Sequence, residues 1–364
     1  MVAGQVSERS GSGGRNCPGE LRSPHIFLSI LIKCLNEQDH LASCITSVIA
    51  AANAESIPSF EIILADSIST DRSVAIARSF PVRVVQLAHA SDRSCGSAAQ
   101  IAYQVARGDY LLLIDGDMEL QPGFLSAALR VVEREPDVAA VGGRLIETST
   151  AIEFKERQRR EPPPGEREVI TGCALYRASA IVQLGSFMNR NLHAFEEGEL
   201  GARLRARGWR LRSLDVGCVV HHGNPEPARI LMRANWRNGR YSAYGELLRA
   251  SWRLPWRKRI PRACFIPLAV IAWWVVLLGL IAAVSLGSAA ARIAMPAFAL
   301  ALPLIIWSRK PDLRRCLYTL GDWHLAAAGI VAGLFSSAFP PGMPVAYKTL
   351  QDEPFEQETG VAAQ

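Results

Sequence analysis

From Ile26 to Ile114 short apolar runs alternate with helical stretches, and this alternation restricts the fold more than any other feature of the chain. Ile26–Lys33, Phe60–Ala65, Val82–Leu87 and Tyr110–Ile114 read as strands. Asp39–Ala52, a segment opening at Ser69-Thr70-Asp71 and Gly96–Ala106 read as helices, the second with hydroxyls placed to cap its first turn. Strands that alternate with helices predict an α/β domain, a mostly parallel sheet covered on both faces. Ligands of such sheets bind beyond the carboxyl ends of the strands. Asn36-Glu37, Asp66 and Asp115-Gly116-Asp117 all fall at those ends. Asp-x-Asp alone is a common solvated turn. At the tip of a buried strand, however, two carboxylates one residue apart suit a divalent cation held jointly with substrate phosphates.

Past the Asp-x-Asp the pattern gives a helix over Pro122–Glu133 and a strand over Val138–Leu145. Residues 151–168 carry ten charges and the run Pro162-Pro163-Pro164-Gly165, expected to form an irregular surface loop. Apolar character resumes over Val169–Tyr176. Phe195-Glu196-Glu197-Gly198-Glu199-Leu200 opens a helix that closes at Arg207-Gly208, with acid at its start and Arg at its end to complement the helix dipole. A strand over Trp209–Val220 then leads to His221-His222.

Hydrophobic residues make up 49% of the 364 and concentrate after residue 262. Ala263–Ala291 contains no charge and exceeds the roughly 20 residues that span a bilayer, so it predicts a transmembrane helix. Ile293–Ser308, interrupted by Pro296 and Pro303, reads as the return arm of a hairpin turning near Arg292, and Trp323–Phe339 as a borderline third span. The net charge of +6 comes from 35 Arg and 5 Lys against the acids. Between Pro227 and Arg262 stand ten basic residues and one acid, Glu246. There Ile230, Ala234, Tyr241, Tyr244, Leu248 and Trp252 keep a helical stripe. A basic amphipathic stretch beside an apolar run fits membrane lipid rather than nucleic acid, although an ordinary surface helix carries the same stripe. Arg-rich flanks on both sides of the hairpin put the soluble domain in the cytoplasm, attached to the cytoplasmic (inner) membrane by several passes. The tail beyond the third segment has one Lys and four acids, which is compatible with an outside location. The first 24 residues, Ser/Gly-rich and without an apolar stretch, are expected to be a disordered tail lacking a signal peptide. The eight cysteines show no CxxC spacing and read as small core residues in a reducing compartment.

Five stretches in order resemble the landmarks of family 2 glycosyltransferases of the GT-A fold. They are Ser29–Glu37, Ile63–Asp71, Ala106–Tyr110 leading to the Asp-x-Asp, Thr171–Arg177, and Glu196-Glu197 before a Leu-x-x-Arg-Leu helix. The departures are Lys33 for the usual Pro, Ile68 for Gly, Gln100 where many members have Arg, and Glu197 for the common Asp. No Gln-x-x-Arg-Trp follows, which weighs against a processive synthase. The resemblance implies a tail over residues 1–24, a GT-A domain over 25–225, basic interface helices over 226–262, a transmembrane region of two to three helices over 263–340, and a tail over 341–364.

It also implies site roles, each of which has a plainer alternative. Asp117 would hold a divalent cation, Mg2+ or Mn2+. Asp115 would share that cation or contact the nucleotide ribose, and His221 or His222 would supply a nitrogen ligand, although histidines more often pack or cap. Glu197 would be the general base of an inverting displacement, with Glu196 orienting it or binding acceptor hydroxyls, unless both acids merely serve the helix N-terminus. Asn36, Glu37 and Asp66 would line the nucleotide cleft, Asp66 alternatively forming an Asx turn. Arg93 would meet phosphate or remain a solvated side chain. The expected reaction moves a sugar, from a nucleotide-sugar donor with a leaning to uridine, onto a lipid-linked or membrane-proximal saccharide during surface polysaccharide assembly. A synthase that loads polyprenyl phosphate and a non-catalytic nucleotide-sugar-binding membrane protein are the alternatives.

Overall fold

A computed structural model describes residues 26–148, 163–223, 228–252, 261–309 and 312–352. The expected N-terminal tail, most of the charged loop and the end of the C-terminal tail lie outside these described residues. Strands β1 (Phe27–Cys34), β2 (Ser59–Asp66), β3 (Arg83–Leu87) and β4 (Tyr110–Asp115) run parallel in the order β3-β2-β1-β4. Helices α1 (Leu41–Ala54), α2 (Ser73–Ala77) and α3 (Cys95–Val105) connect them. Successive strand residues face opposite ways, so Leu28, Ile30 and Ile32 of β1 enter one core cluster with Leu41, Ile45 and Val48 of α1, while Leu31 enters another with Ala99, Ile101 and Ala102 of α3. Burial on both faces explains the nearly unbroken apolar runs.

The sheet continues through β5 (Met118–Leu120), α4 (Phe124–Arg134), β6 (Val138–Glu147), β7 (Gly165–Glu166), β8 (Ala174–Arg177), α5 (Ala178–Val182), α6 (Glu196–Ala206) and β9 (Arg210–His221). Its order is β3-β2-β1-β4-β8-β6-β9-β5, with β7 beside β9. Strand β6 runs parallel to β9, whereas β8 is antiparallel to both β4 and β6, and β5 is antiparallel to β9. The sheet is therefore mixed, and its antiparallel members all lie outside the strand–helix alternation at the start of the chain. The carboxyl ends of β1, β2, β4, β6 and β9 still share one edge, where Glu37, Asp66, Asp115, Glu147 and His221 stand.

Beyond the sheet come α7 (Ala228–Arg237), α8 (Ala243–Ser251), α9 (Pro261–Ser285), α10 (Ala289–Arg309) and α11 (Leu313–Phe335). The basic stripe is thus two helices, broken at Gly239 with φ +73°. Tyr241 and Leu247 are buried against protein, while Trp236 and Trp252 stay exposed. Cys264–Ser285 and Ala289–Arg309 are long and apolar enough to cross a membrane, with mean hydropathies of 2.6 and 1.9. The turn between them falls at 286–288, slightly before Arg292.

The borderline third segment behaves differently from its expectation. Helix α11 carries Arg314, Arg315, Asp322 and His324 and packs closely on α8. A Cβ on Gly245 would meet Ile330 O at 2.1 Å, and one on Gly333 would meet Ser242 O at 1.9 Å, so only glycine allows this approach. Strand β10 (Tyr347–Gln351) then joins the soluble sheet antiparallel to β3. The described end of the chain is therefore part of the domain's own sheet, a pairing its charge pattern, compatible with an outside location, did not anticipate.

Candidate active site

Parallel pairing of β1 with β4 sets Lys33 opposite Asp115, so both side chains leave the same face of adjacent strands. Lys33 Nζ lies 2.9 Å from Asp115 Oδ1 and 3.2 Å from Glu196 Oε1. Burial works against the ammonium charge, but these two carboxylates outweigh it and hold the Lys33 pKa well above its usual range. One buried cation thus joins the first carboxylate of the Asp-x-Asp to the acid pair that opens α6.

The first turn of α6 contains Glu196, Glu197 and Glu199, where the exposed N–H groups favour negative charge. Glu199 turns away to pair with Arg203 at 2.8 Å. Glu197 Oε1 accepts the Gly172 N–H at 2.9 Å. Gly172 has φ +86°, a conformation that favours glycine, and so presents this N–H between β7 and β8. Burial above all pushes the Glu197 carboxyl up to about 8, with Glu196 and Asp115 adding to the rise and Lys33 and the Gly172 N–H pulling against it. A carboxyl so placed suits proton transfer near neutral pH.

Asp117 stands at the turn between β4 and β5, and its Oδ2 lies 3.1 Å from His221 Nε2. Glu147, the register partner of His221 across β6 and β9, places Oε2 at 2.8 Å from Nδ1. Burial disfavours the imidazolium, yet hydrogen bonds to Asp117 and Glu147 prevail and raise its pKa to about 9. His222 sits apart, bonded to Glu119 at 3.0 Å and stacked on His40 with centroids 4.8 Å apart. Glu37 faces the same edge. Burial first, then Asp117 and Asp115, push its carboxyl up to about 8.

The remaining predicted nucleotide residues mainly build loops. Asp66 is fully buried and accepts Ser69 N–H at 3.0 Å and Gln86 Nε2 at 2.8 Å, as an Asx turn does. Asn36, at φ +59°, accepts Thr70 N–H at 2.8 Å while donating its own N–H to Ser69 Oγ at 2.9 Å. Ile68 keeps a left-handed φ of +61°, a conformation that favours glycine. Arg93 explains how a β-branched residue holds it, because its guanidinium donates to Ser67 O and Ile68 O, both at 2.9 Å. Arg93 is accordingly a brace for this turn in the structure, with its donors aimed at carbonyls. Gln100 is buried and accepts the Phe187 N–H at 3.1 Å.

Asp115, Asp117, Glu196, Glu197, His221 and Glu37 are therefore brought to one edge, and Arg93 and His222 are engaged elsewhere. Three contributors were missed as site residues from sequence: Lys33, Glu147 and Gly172. Lys33 left a sign, being a charge in an otherwise apolar strand, and Gly172 lay inside the Thr171–Arg177 landmark, whereas Glu147 left none. Among the described residues, no three His, Cys, Asp or Glu side chains are grouped to hold a metal ion. The chemistry of the donors still fits Mg2+ or Mn2+, because Asp117 and Asp115 offer hard oxygen ligands and such ions take substrate phosphates for the rest; His221 would join them only on giving up the proton it shares with Asp117.

The model of Glycosyl transferase family 2 matches residues 29–185. An undecaprenyl-phosphate 4-deoxy-4-formamido-L-arabinose transferase of Edwardsiella ictaluri is 27% identical over 167 residues, covering 43% of this chain and 50% of that protein. An uncharacterized glycosyltransferase of Escherichia coli is 30% identical over 115 residues, covering 31% of this chain and 32% of its own. The matches span only 19% to 50% of the length of the curated relatives. A mannosyltransferase of Pyrobaculum calidifontis, solved with GDP-mannose and Mn2+, has a TM-score of 0.55 at 18% identity, over 85% of this chain and 87% of that one. At that identity the likeness concerns the fold, which is GT-A.

Proposed function

We propose, from the premise that residues 29–185 form a family 2 glycosyltransferase domain, that this chain moves a sugar from a nucleotide-diphosphate donor to an acceptor at the membrane surface, with inversion at the anomeric carbon. One observation carries the reading: Asp115 and Glu196, far apart in the chain, meet on the Lys33 ammonium, which brings the Asp-x-Asp and the acid pair to one edge of the sheet. Held by Asp117 with Asp115 or His221, a divalent cation would neutralise the leaving diphosphate. Glu197, fixed by the Gly172 N–H, takes the proton of the acceptor hydroxyl as that oxygen attacks the anomeric carbon opposite the leaving group. Glu196 orients the acceptor and Lys33 holds Glu196. Glu37 and the turn built by Asn36, Asp66, Ile68 and Arg93 shape the nucleotide cleft, for which uridine is the favoured base.

The acceptor is a lipid-linked or membrane-proximal saccharide in surface polysaccharide assembly. The alternative is direct loading of a polyprenyl phosphate, favoured by the relative named for an undecaprenyl-phosphate transferase. Two apolar helices of 22 and 21 residues support attachment to a membrane, and the Arg-rich flanks favour the cytoplasmic membrane with the catalytic domain inside. Pairing of β10 with β3 supports an even number of crossings, hence two.

The test uses isolated membranes, a panel of labelled nucleotide sugars and mass spectrometry of the products. Asp117→Ala and Glu197→Gln are each expected to lower transfer at least a hundredfold, and chelation to abolish it until Mn2+ or Mg2+ is restored. Full activity in either variant removes the assignment. Label on bare polyprenyl phosphate selects the alternative.

A further inference from the structure

Glu246 is the sole acid in the basic stretch between Pro227 and Arg262, and it is 2% exposed on α8. Its Oε2 accepts the His193 backbone N–H at 3.2 Å, and His193 Nδ1 lies 3.0 and 3.1 Å from its two oxygens. Ser242 Oγ donates to Oε1 at 2.8 Å. The imidazole also covers Gly239, where a Cβ would come within 2.6 Å of the ring. Two residues further on, Phe195 enters α6 with φ +66°, and its ring meets Tyr244 of α8 edge-on with centroids 4.8 Å apart. A left-handed conformation in a bulky residue persists only when its surroundings enforce it. On the other side, Leu192 O accepts Gly96 N–H at 3.1 Å and His193 O accepts Cys95 Sγ–H at 3.1 Å. Segment 192–195 is thus clamped between the start of α3 and α8, directly before Glu196 and Glu197. Helix α8 is a firm support, because it is locked to α11 through Gly245, Gly329 and Gly333 and through the Tyr241–Asp322 hydrogen bond of 2.8 Å.

We propose that Glu246 is a positioning residue for sugar transfer: by seating His193 it sets where α6 begins, and so where the Glu196 and Glu197 carboxylates stand. The helices after the catalytic domain thereby complete the active site as well as attaching it to the membrane. The proposal rests on the functional reading above and deepens it. Its mechanism is distance control, since a shift of about 1 Å in a reacting group lowers rates as much as a hundredfold.

The experiment compares the full-length wild type with Glu246→Ala, Glu246→Gln and His193→Gln in nanodiscs. It measures kcat and donor KM with labelled nucleotide sugar, and backbone hydrogen exchange over residues 192–200. In Glu246→Ala, kcat should fall about tenfold or more with donor KM within about twofold, and amides at the start of α6 should exchange faster while β1 and β4 are unchanged. Glu246→Gln keeps a hydrogen-bonding side chain and should recover most of the rate. His193→Gln should lower kcat as Glu246→Ala does, and the double substitution should add little. Unchanged exchange at 195–199 in both Glu246→Ala and His193→Gln overturns the seat, as does a parallel loss of kcat, donor affinity and sheet protection. If the wild type transfers no sugar, the functional reading falls, and the exchange data still decide whether Glu246 orders the start of α6.

Discussion

Replacing Lys33 by Met tests the electrostatic centre of the site. The side chains are similar in length, so the substitution removes a charge while leaving little void. In the wild type each contact near 3 Å contributes about 5 kcal/mol of attraction at an effective dielectric of about 20. Desolvation offsets most of that gain, so the intact cluster adds little net stability. Breaking it is asymmetric, because Glu196 is only 8% exposed and loses its cation without gaining water. Removal of one partner of a buried pair costs about 3–5 kcal/mol. Asp115 is 35% exposed and can rehydrate, so the lower end applies, about 3 kcal/mol. At about 2–4 °C per kcal/mol for a domain of this size, Tm should fall by about 6–12 °C in a tryptophan-fluorescence melt at pH 8. The Asp115 carboxyl already lies above its ordinary value, chiefly from burial, and Lys33 is the group that restrains it. In the variant it rises further, so the stability gap should be widest at high pH and narrow as pH falls and the carboxyl takes up a proton. A Tm within 2 °C of wild type would refute the idea that Lys33 binds these carboxylates together.

Other outcomes follow from the same geometry. With Glu197 as the proposed base and its carboxyl raised to about 8, kcat/KM should climb with pH up to about 8 and level off above it, and Glu197→Gln should lose this limb, as read from initial rates in overlapping buffers. Gly172→Ala forces a side chain into φ +86° within 2.9 Å of Leu145 Cδ1. The variant should lose roughly 1 kcal/mol or more of stability in thermal melts and transfer sugar more slowly, since the N–H that holds Glu197 shifts. A reporter active only outside the cytoplasm should give signal when inserted after Ser288 and none at residue 352; signal at both sites contradicts two crossings.

Local information carried the reading a long way. Periodicity and end signals located β1 to β4 within about two residues, because a strand buried on both faces must be apolar throughout and must stop where polar groups gather. The same reasoning placed Glu37, Asp66, Asp115, Asp117 and the acid pair at strand and helix ends, where they are observed. The uncharged run after residue 262 likewise announced its helix from composition. Which polar groups meet was beyond local information. Lys33 reaches Asp115 because β1 and β4 pair in one particular register, and reaches Glu196 because α6 begins at that edge. Glu147 finds His221 through the register of β6 with β9. Ile68 keeps a glycine-like turn because Arg93, 25 residues later, holds it there. Return of the chain to the sheet through β10, and burial of Glu246 on His193, join segments separated by many tens of residues. Periodicity states which way a side chain faces, since that is set by the geometry of its own segment. The partner it finds is set by how distant segments pack, and only the assembled tertiary structure decides that.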